Sequence, residues 1–245
     1  MANETAQKNL IVEEDAGLVT LTMNRPEKRN ALSTAMMTEL NDALHAIGKR
    51  SDARAVIIAG NGPAFSAGHD LGELKGRDLA FYRYEFDLCA QLMLTIQAIP
   101  QPVIARVHAI ATAAGCQLAA TCDLVVAGES ASFATPGVRI GLFCSTPMVA
   151  LSRNVSRKHA MEMLLTGELI SAEDAARIGL VNHVVAPGHE RAAALKLAEK
   201  IAAKSTLTVK IGKKAFYRQA EMPLAEAYKY ASEVMVENML ARDAE

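Results

Sequence analysis

Two runs of small residues, Phe65-Ser66-Ala67-Gly68-His69-Asp70-Leu71 and Ala113-Ala114-Gly115-Cys116-Gln117-Leu118, read as turns at strand ends. Such a pair can aim two backbone N–H groups at one oxygen, and preorganised donors in a dry site lower the barrier where a carbonyl becomes an enolate. The spacing suggests acyl-group chemistry carried by the main chain. His69, Asp70, His108, Cys144 and Ser145 are the reactive side chains close to these turns. The His69 imidazole could act as acid or base near neutral pH, or it could line a pocket and matter only for its backbone N–H. Asp70 reads as a brace for its turn and His108 as a structural histidine at a strand end. Cys144 or Ser145 would need a base beside it to act as a nucleophile, and the sequence fixes none, so pocket wall and helix cap are the plainer readings.

These turns need a scaffold, and the apolar pattern supplies one. Leu10 to Glu14 and Leu18 to Met23 form an opening hairpin around Asp15-Ala16-Gly17. Ser33 is an N-cap for a helix carrying Met37, Leu40, Leu44 and Ile47 and ending near Arg50. Ala55 to Ala59 is a buried strand, and Asp78 to Ile99 is a helix with an apolar face through Phe86, Leu92 and Ile96. The strand Val103 to Val107 is expected to run into the second turn, followed by a helix from Gln117 to Thr121 and a strand from Leu124 to Ala127. This alternation places the chain in the α/β class. Beyond Ser145 helices dominate: Met148 to Asn154, Lys158 to Leu165, Ser171 to Ile178, Glu190 to Ala203, Thr206 to Gln219 and Leu224 to Ala241.

With 26 basic and 27 acidic side chains among 245 residues, no net field favours nucleic acid or an anionic membrane. Cys89, Cys116, Cys122 and Cys144 form no C-x-x-C pair and read as reduced core residues. Met1 to Asn9 is polar and includes Glu4 and Lys8, so a cytoplasmic protein is expected, and no apolar run reaches membrane-span length. The six histidines lack metal-ligand spacing, so no metal is expected. Gly60-x-Gly62 is not a dinucleotide fingerprint, because Phe65 replaces its third glycine and Pro63 intervenes.

Asn24-Arg25-Pro26 and Asn30-Ala31-Leu32 precede the first turn; Cys122-Asp123, Ser171-Ala172-Glu173-Asp174-Ala175 and Gly179-Leu180-Val181 follow the second. With these motifs, nearly the whole chain resembles the enoyl-CoA hydratase/isomerase, or crotonase, superfamily. Residues 111–118 and 133–138, Ala-Thr-Ala-Ala-Gly-Cys-Gln-Leu and Phe-Ala-Thr-Pro-Gly-Val, are similar to its enoyl-CoA hydratase domain-containing subgroup. The resemblance implies one crotonase-like domain over 1–245. Repeated ββα units would form the core to about residue 190, and a helical region over about 191–245 would help build a homotrimer or homohexamer. It implies that the backbone N–H groups of His69 and Ala114 hold the thioester oxygen of an acyl-CoA. Coenzyme A would enter as part of the substrate rather than as a tightly bound cofactor. Lys28 and Arg29 would meet its phosphates, with Ala31, Ala67, Asp70, Leu71 and Gly115 bordering the rest.

Two departures shape the expected chemistry. Family hydratases carry glutamates where this chain has Gln117 and Gly137; glutamine cannot take a proton from water, and glycine offers no side chain. Ordinary hydration is therefore not expected. Ala113 and Ala114 replace usual glycines, and alanine is penalised at positive φ, so the oxyanion hole is expected only if this turn keeps negative φ. The resemblance then implies an acyl-CoA enzyme, a lyase or isomerase of fatty-acid or related metabolism, with altered proton-transfer residues. The alternative is a non-catalytic acyl-CoA-binding or scaffolding protein; a third reading is thioester hydrolysis or isomerisation through His69 or Cys144.

Overall fold

A computed structural model describes residues 9–241; residues 1–8, which hold most of the polar start, and residues 242–245, which include the terminal Asp243-Ala244-Glu245, lie outside the described residues. The chain opens with an antiparallel hairpin of β1 (Leu10–Asp15) and β2 (Leu18–Met23). Helix α1 (Thr34–Gly48) follows; the Ser33 hydroxyl accepts from the Met36 N–H at its start, and Met36, Met37, Leu40, Leu44 and Ile47 form its buried face.

One unit then repeats three times: a strand of a large sheet, a short strand of a second sheet, and a helical segment. Strand β3 (Ala55–Gly60) leads to β4 (Ala64–Ser66), then α2 (Leu71–Leu74) and α3 (Leu79–Ala98). Strand β5 (Val103–Val107) leads to β6 (Ile110–Thr112) and α4 (Ala114–Thr121). Strand β7 (Leu124–Gly128) leads to β8 (Ser132–Ala134), a 3₁₀ turn at Pro136–Ile140, and α5 (Ser145–Asn154). These are the ββα units implied by the resemblance. The chain continues through α6 (Arg157–Thr166), β9 (Ile170–Ser171), α7 (Ala172–Arg177) and β10 (His183–Val185). It closes with α8 (Glu190–Ala202), α9 (Thr206–Ala220) and α10 (Leu224–Met239).

The large sheet runs β1-β2-β3-β5-β7-β10, parallel from β2 onward; the small sheet runs β4-β6-β8-β9. Both faces of the large sheet are covered, and its side chains alternate accordingly. Val56, Ile58, Val103 and Ala105 join the main core with the buried face of α1, whereas Ala55, Ile57, Ile104 and Val126 pack on Ala194 and Ala198 of α8. No described helix is long and apolar enough to cross a membrane.

The structure corrects the sequence reading at two places that matter for the site. The second turn does not follow β5; it follows β6, and β6 and β4 are three-residue strands too short to show a period-two pattern. On α3, Phe86 is 40% exposed and lies off the apolar face, while Glu85 shares the buried stripe with Cys89, Leu92 and Ile96.

Candidate functional site

Strands β4 and β6 lie side by side and parallel in the small sheet, so the turns that leave them emerge at the same edge. This brings Gly68 against Ala113 and Ala114. Gly68 has φ +90°, and a methyl placed there would lie 2.8 Å from the Ala113 Cβ and 3.1 Å from the Ala114 nitrogen. Glycine is needed both for its dihedral and for the close approach of the two chains.

Around this contact the neighbouring amides are engaged. Leu32 pairs with His69 in a parallel bridge: the Leu32 N–H bonds the Gly68 carbonyl at 2.7 Å, and the Asp70 N–H bonds the Leu32 carbonyl at 3.3 Å. That pattern turns the His69 N–H to the opposite side. The Ala113 N–H donates to the Ala134 carbonyl at 2.9 Å, and Ala114 is the first residue of α4, where an N–H has no intrahelical acceptor. Among the described residues, the His69 and Ala114 N–H groups donate to no backbone carbonyl. Two free amides at one close contact can receive an anionic oxygen.

The expectation of negative φ fails at Ala113, which sits at φ 51° and ψ −120°. An L-residue in so sparsely populated a region bears strain on the order of 1–3 kcal/mol. The flanking bonds of the β6 ladder and the start of α4 hold it in place, so alanine here takes the backbone shape that glycine takes without strain.

The first motif braces this arrangement. The Asn30 side chain is buried with its groups satisfied: its amide donates to the Asn61 and Ala64 carbonyls, each at 2.8 Å, and its oxygen accepts from the Arg25 N–H at 2.9 Å. The Ser66 hydroxyl donates to the Asn30 carbonyl and the Ala67 N–H to the Arg29 carbonyl, which stitches the motif to the first turn. Asp70 caps α2 through the Gly72 N–H and pairs with Arg25 at 3.1 Å. It braces the turn, as its sequence position suggested. Ala31, Ala67, Asp70 and Leu71 are thereby gathered beside one another, with Lys28 and Arg29 exposed at the rim. Gly115 is buried behind the turn, where a methyl would come within 2.7 Å of the Ser66 Cβ.

Beside the free amides lies a polar cluster that the sequence reading missed. The His69 Nδ1 stands 3.6 Å from Glu85 Oε1, with the two side chains 10% and 1% exposed. Both ring nitrogens and Glu85 Oε1 are buried without a hydrogen-bond partner. Glu85 Oε2 accepts from the Thr34 hydroxyl at 2.7 Å, and the His69 and Phe86 rings meet edge to face with their centroids 5.4 Å apart. Burial pushes the Glu85 carboxyl above its ordinary range, Glu73 and Asp70 adding to the effect and the Thr34 hydrogen bond opposing it; burial holds the His69 imidazole below its own. The signal for Glu85 was available: a lone carboxylate at i, i+4 and i+7 spacing from Cys89 and Leu92 on a buried helical stripe.

Gln117 is buried on α4, its Oε1 3.9 Å from the thiol of Cys89, one turn along from Glu85. Gly137 lies in the 3₁₀ turn; a methyl there would come within 2.7 Å of the Leu142 carbonyl and 2.9 Å of the Cys144 sulphur. Cys144 accepts from the Gly137 N–H at 3.3 Å, and burial raises its thiol, which suits a pocket wall better than a nucleophile. Burial likewise pushes the Cys89 and Cys116 thiols up to about 12. His108 bonds the Gly62 carbonyl at 2.8 Å, a structural role. Among the described residues, no cluster of three His, Cys, Asp or Glu side chains is arranged to hold a metal ion.

The family model for enoyl-CoA hydratase/isomerase matches residues 13–244. The rat mitochondrial enoyl-CoA hydratase domain-containing protein 3 is 47% identical over 231 residues, covering 94% of this chain and 77% of that protein. The 2,3-dehydroadipyl-CoA hydratase of Escherichia coli K12 is 38% identical over 216 residues, covering 88% of this chain and 84% of that protein. A crystal structure of an enoyl-CoA hydratase from Mycobacterium smegmatis superposes with a TM-score of 0.94 at 50% identity, covering 96% of this chain and 92% of that one.

Proposed function

The chain belongs to the enoyl-CoA hydratase/isomerase family, in its enoyl-CoA hydratase domain-containing subgroup, and on that premise we propose that it is an acyl-CoA enzyme working through a backbone oxyanion hole. In this reading the N–H groups of His69 and Ala114 grip the thioester oxygen and stabilise the enolate formed when the α-carbon loses a proton. The observation that carries it is the meeting of two unengaged amides across Gly68 and Ala113. Lys28 and Arg29 meet the phosphates of coenzyme A, and Ala31, Ala67, Asp70 and Leu71 border the remainder.

Hydration is not the reaction assigned. Gln117 cannot deprotonate water, and the space beyond Gly137 is closed by Leu142 and Cys144. The same two residues favour a second reading, an acyl-CoA-binding protein without turnover.

Titration with cinnamoyl-CoA tests both, because a gripped carbonyl draws charge from the conjugated chain and shifts its absorbance to longer wavelength. The expected result is saturable binding with that shift. Binding with no shift favours the non-catalytic reading, and absence of binding overturns both.

The reading extends to a homotrimer or homohexamer. On α10, Leu224, Tyr228, Met235 and Met239 are 75%, 70%, 58% and 65% exposed, an apolar surface of the kind that a neighbouring subunit covers. Light scattering on the intact chain is expected to give three or six protomers; a monomer mass removes this part.

A further inference from the structure

Three buried polar atoms without partners sit in one cluster, both nitrogens of His69 and Oε1 of Glu85, where the interior of a protein normally satisfies each. The histidine is tethered to the proposed oxyanion hole by its own main chain. We propose that this pair moves the proton in the reaction: His69 is the catalytic base through Nε2, and Glu85 is a positioning residue that holds the ring through Nδ1. The inference rests on the oxyanion-hole reading given above.

The other titratable groups around the pair are occupied or unsuited. Asp70 is held by Arg25 and the Gly72 N–H, and Glu73 accepts from the Thr34 N–H at 2.9 Å. The Cys89 thiol faces Gln117 and keeps its proton, because burial raises it to about 12. The Gln117 amide is neither a base nor an acid near neutral pH. That leaves His69 with an unoccupied nitrogen and Glu85 with an unoccupied oxygen facing it at 3.6 Å. Contacts of this kind are often long before substrate binds and tighten in the complex.

In the step proposed, the α-C–H bond of the thioester breaks, its electron pair enters the enolate held by the two amides, and the proton moves to His69 Nε2. Ionised Glu85 stabilises the imidazolium. The proton, or one exchanged from solvent, then returns to the α-carbon, or to the γ-carbon of a β,γ-unsaturated chain, which shifts the double bond. No oxidant or further reactant is needed. The substrate class is therefore an acyl thioester with an acidic α-hydrogen, and the net reaction is exchange or double-bond isomerisation.

The test is α-hydrogen exchange of butyryl-CoA in D₂O, read by mass spectrometry, in the intact protein and in His69→Gln and Glu85→Gln variants. Both variants keep the backbone amides, so cinnamoyl-CoA binding and its absorbance shift report separately on the hole. The expected result is exchange in the native protein, at least about 100-fold slower exchange in His69→Gln, and a smaller loss in Glu85→Gln. Removing the Glu85 carboxylate removes the charge that favours the imidazolium, so the acidic limb of the pH–rate profile is expected to move to lower pH in Glu85→Gln. A merely structural glutamate would leave that limb in place. A retained absorbance shift with exchange insensitive to both substitutions overturns the role of the pair and leaves the hole standing. Absence of the shift in the native protein overturns the hole.

Discussion

Replacing Gly68 by alanine is expected to slow turnover of an acyl-CoA by about 10²- to 10³-fold, the effect of removing one donor from an oxyanion hole. At φ +90° an alanine is strained, and its methyl would lie 2.8 Å from the Ala113 Cβ, 3.0 Å from the Thr112 carbonyl and 3.1 Å from the Ala114 nitrogen. None of these is the far end of a flexible side chain, so the two turns must separate and the His69 and Ala114 amides can no longer meet one oxygen. Gly76 provides the control, since its φ is +70° and a methyl there meets nothing within 4 Å. Gly76→Ala carries similar backbone strain, roughly 1–2 kcal/mol, without the collision. Butyryl-CoA exchange rates and thermal melting of both variants separate strain from geometry. Equal exchange rates in the two variants would show that the contact between the turns has no role in catalysis.

Much of this site was legible in the sequence because it is built from local signals. Small-residue turns after apolar runs, the Ser33 cap and the Asn30-Ala31-Leu32 motif each leave a mark that survives without knowledge of the fold. The large sheet was legible for the same reason: Ala55–Gly60 is a continuous apolar run and Val103–Val107 is one broken only by Arg106, as strands covered on both faces tend to be. The short strands β4, β6 and β8 were not, because three residues cannot display a period. Their pairing nevertheless explains why the two turns converge.

Glu85 illustrates a different limit. A carboxylate on a helix is read as solvent-facing by default, and only the tertiary neighbours Thr34 and His69 reveal why this one points inward. Ala113 shows the converse: the sequence suggested that alanine would avoid positive φ, and the fold over-determined the residue. Both departures from local preference fall next to the free amides, which is where strain and buried polarity are expected to serve chemistry.

Lys213→Met is expected to cost about 3–5 kcal/mol of stability, the range for breaking a buried ion pair by removing one partner. The Lys213 ammonium is 6% exposed and donates to Asp123 Oδ2 at 2.6 Å, the Ile96 carbonyl at 2.8 Å and the Gln101 carbonyl at 2.9 Å. One side chain of α9 thus satisfies the end of α3, the approach to β5 and the residue before β7. Asp123, its side chain 15% exposed, also accepts from the Tyr217 hydroxyl and the Val103 N–H, each at 2.7 Å, and without its cation it becomes a largely buried charge held by neutral donors alone. For a chain of this size the loss corresponds to a melting midpoint lower by roughly 10 °C. Adding Asp123→Asn to Lys213→Met is expected to recover part of it, because the amide removes the uncompensated charge and keeps an acceptor. A loss below about 1 kcal/mol, the range of exposed pairs, would show that α9 is not anchored through this contact. Asp123 lies just beyond the end of α4, the helix whose first residue carries the Ala114 N–H, so this anchor also bears on the site. All eight residues of α4 are buried, so the helix is expected to keep its place once folded: Lys213→Met lowers the melting midpoint while the cinnamoyl-CoA absorbance shift persists at low temperature, and loss of the shift in a folded variant would show that the hole depends on the docking of α9.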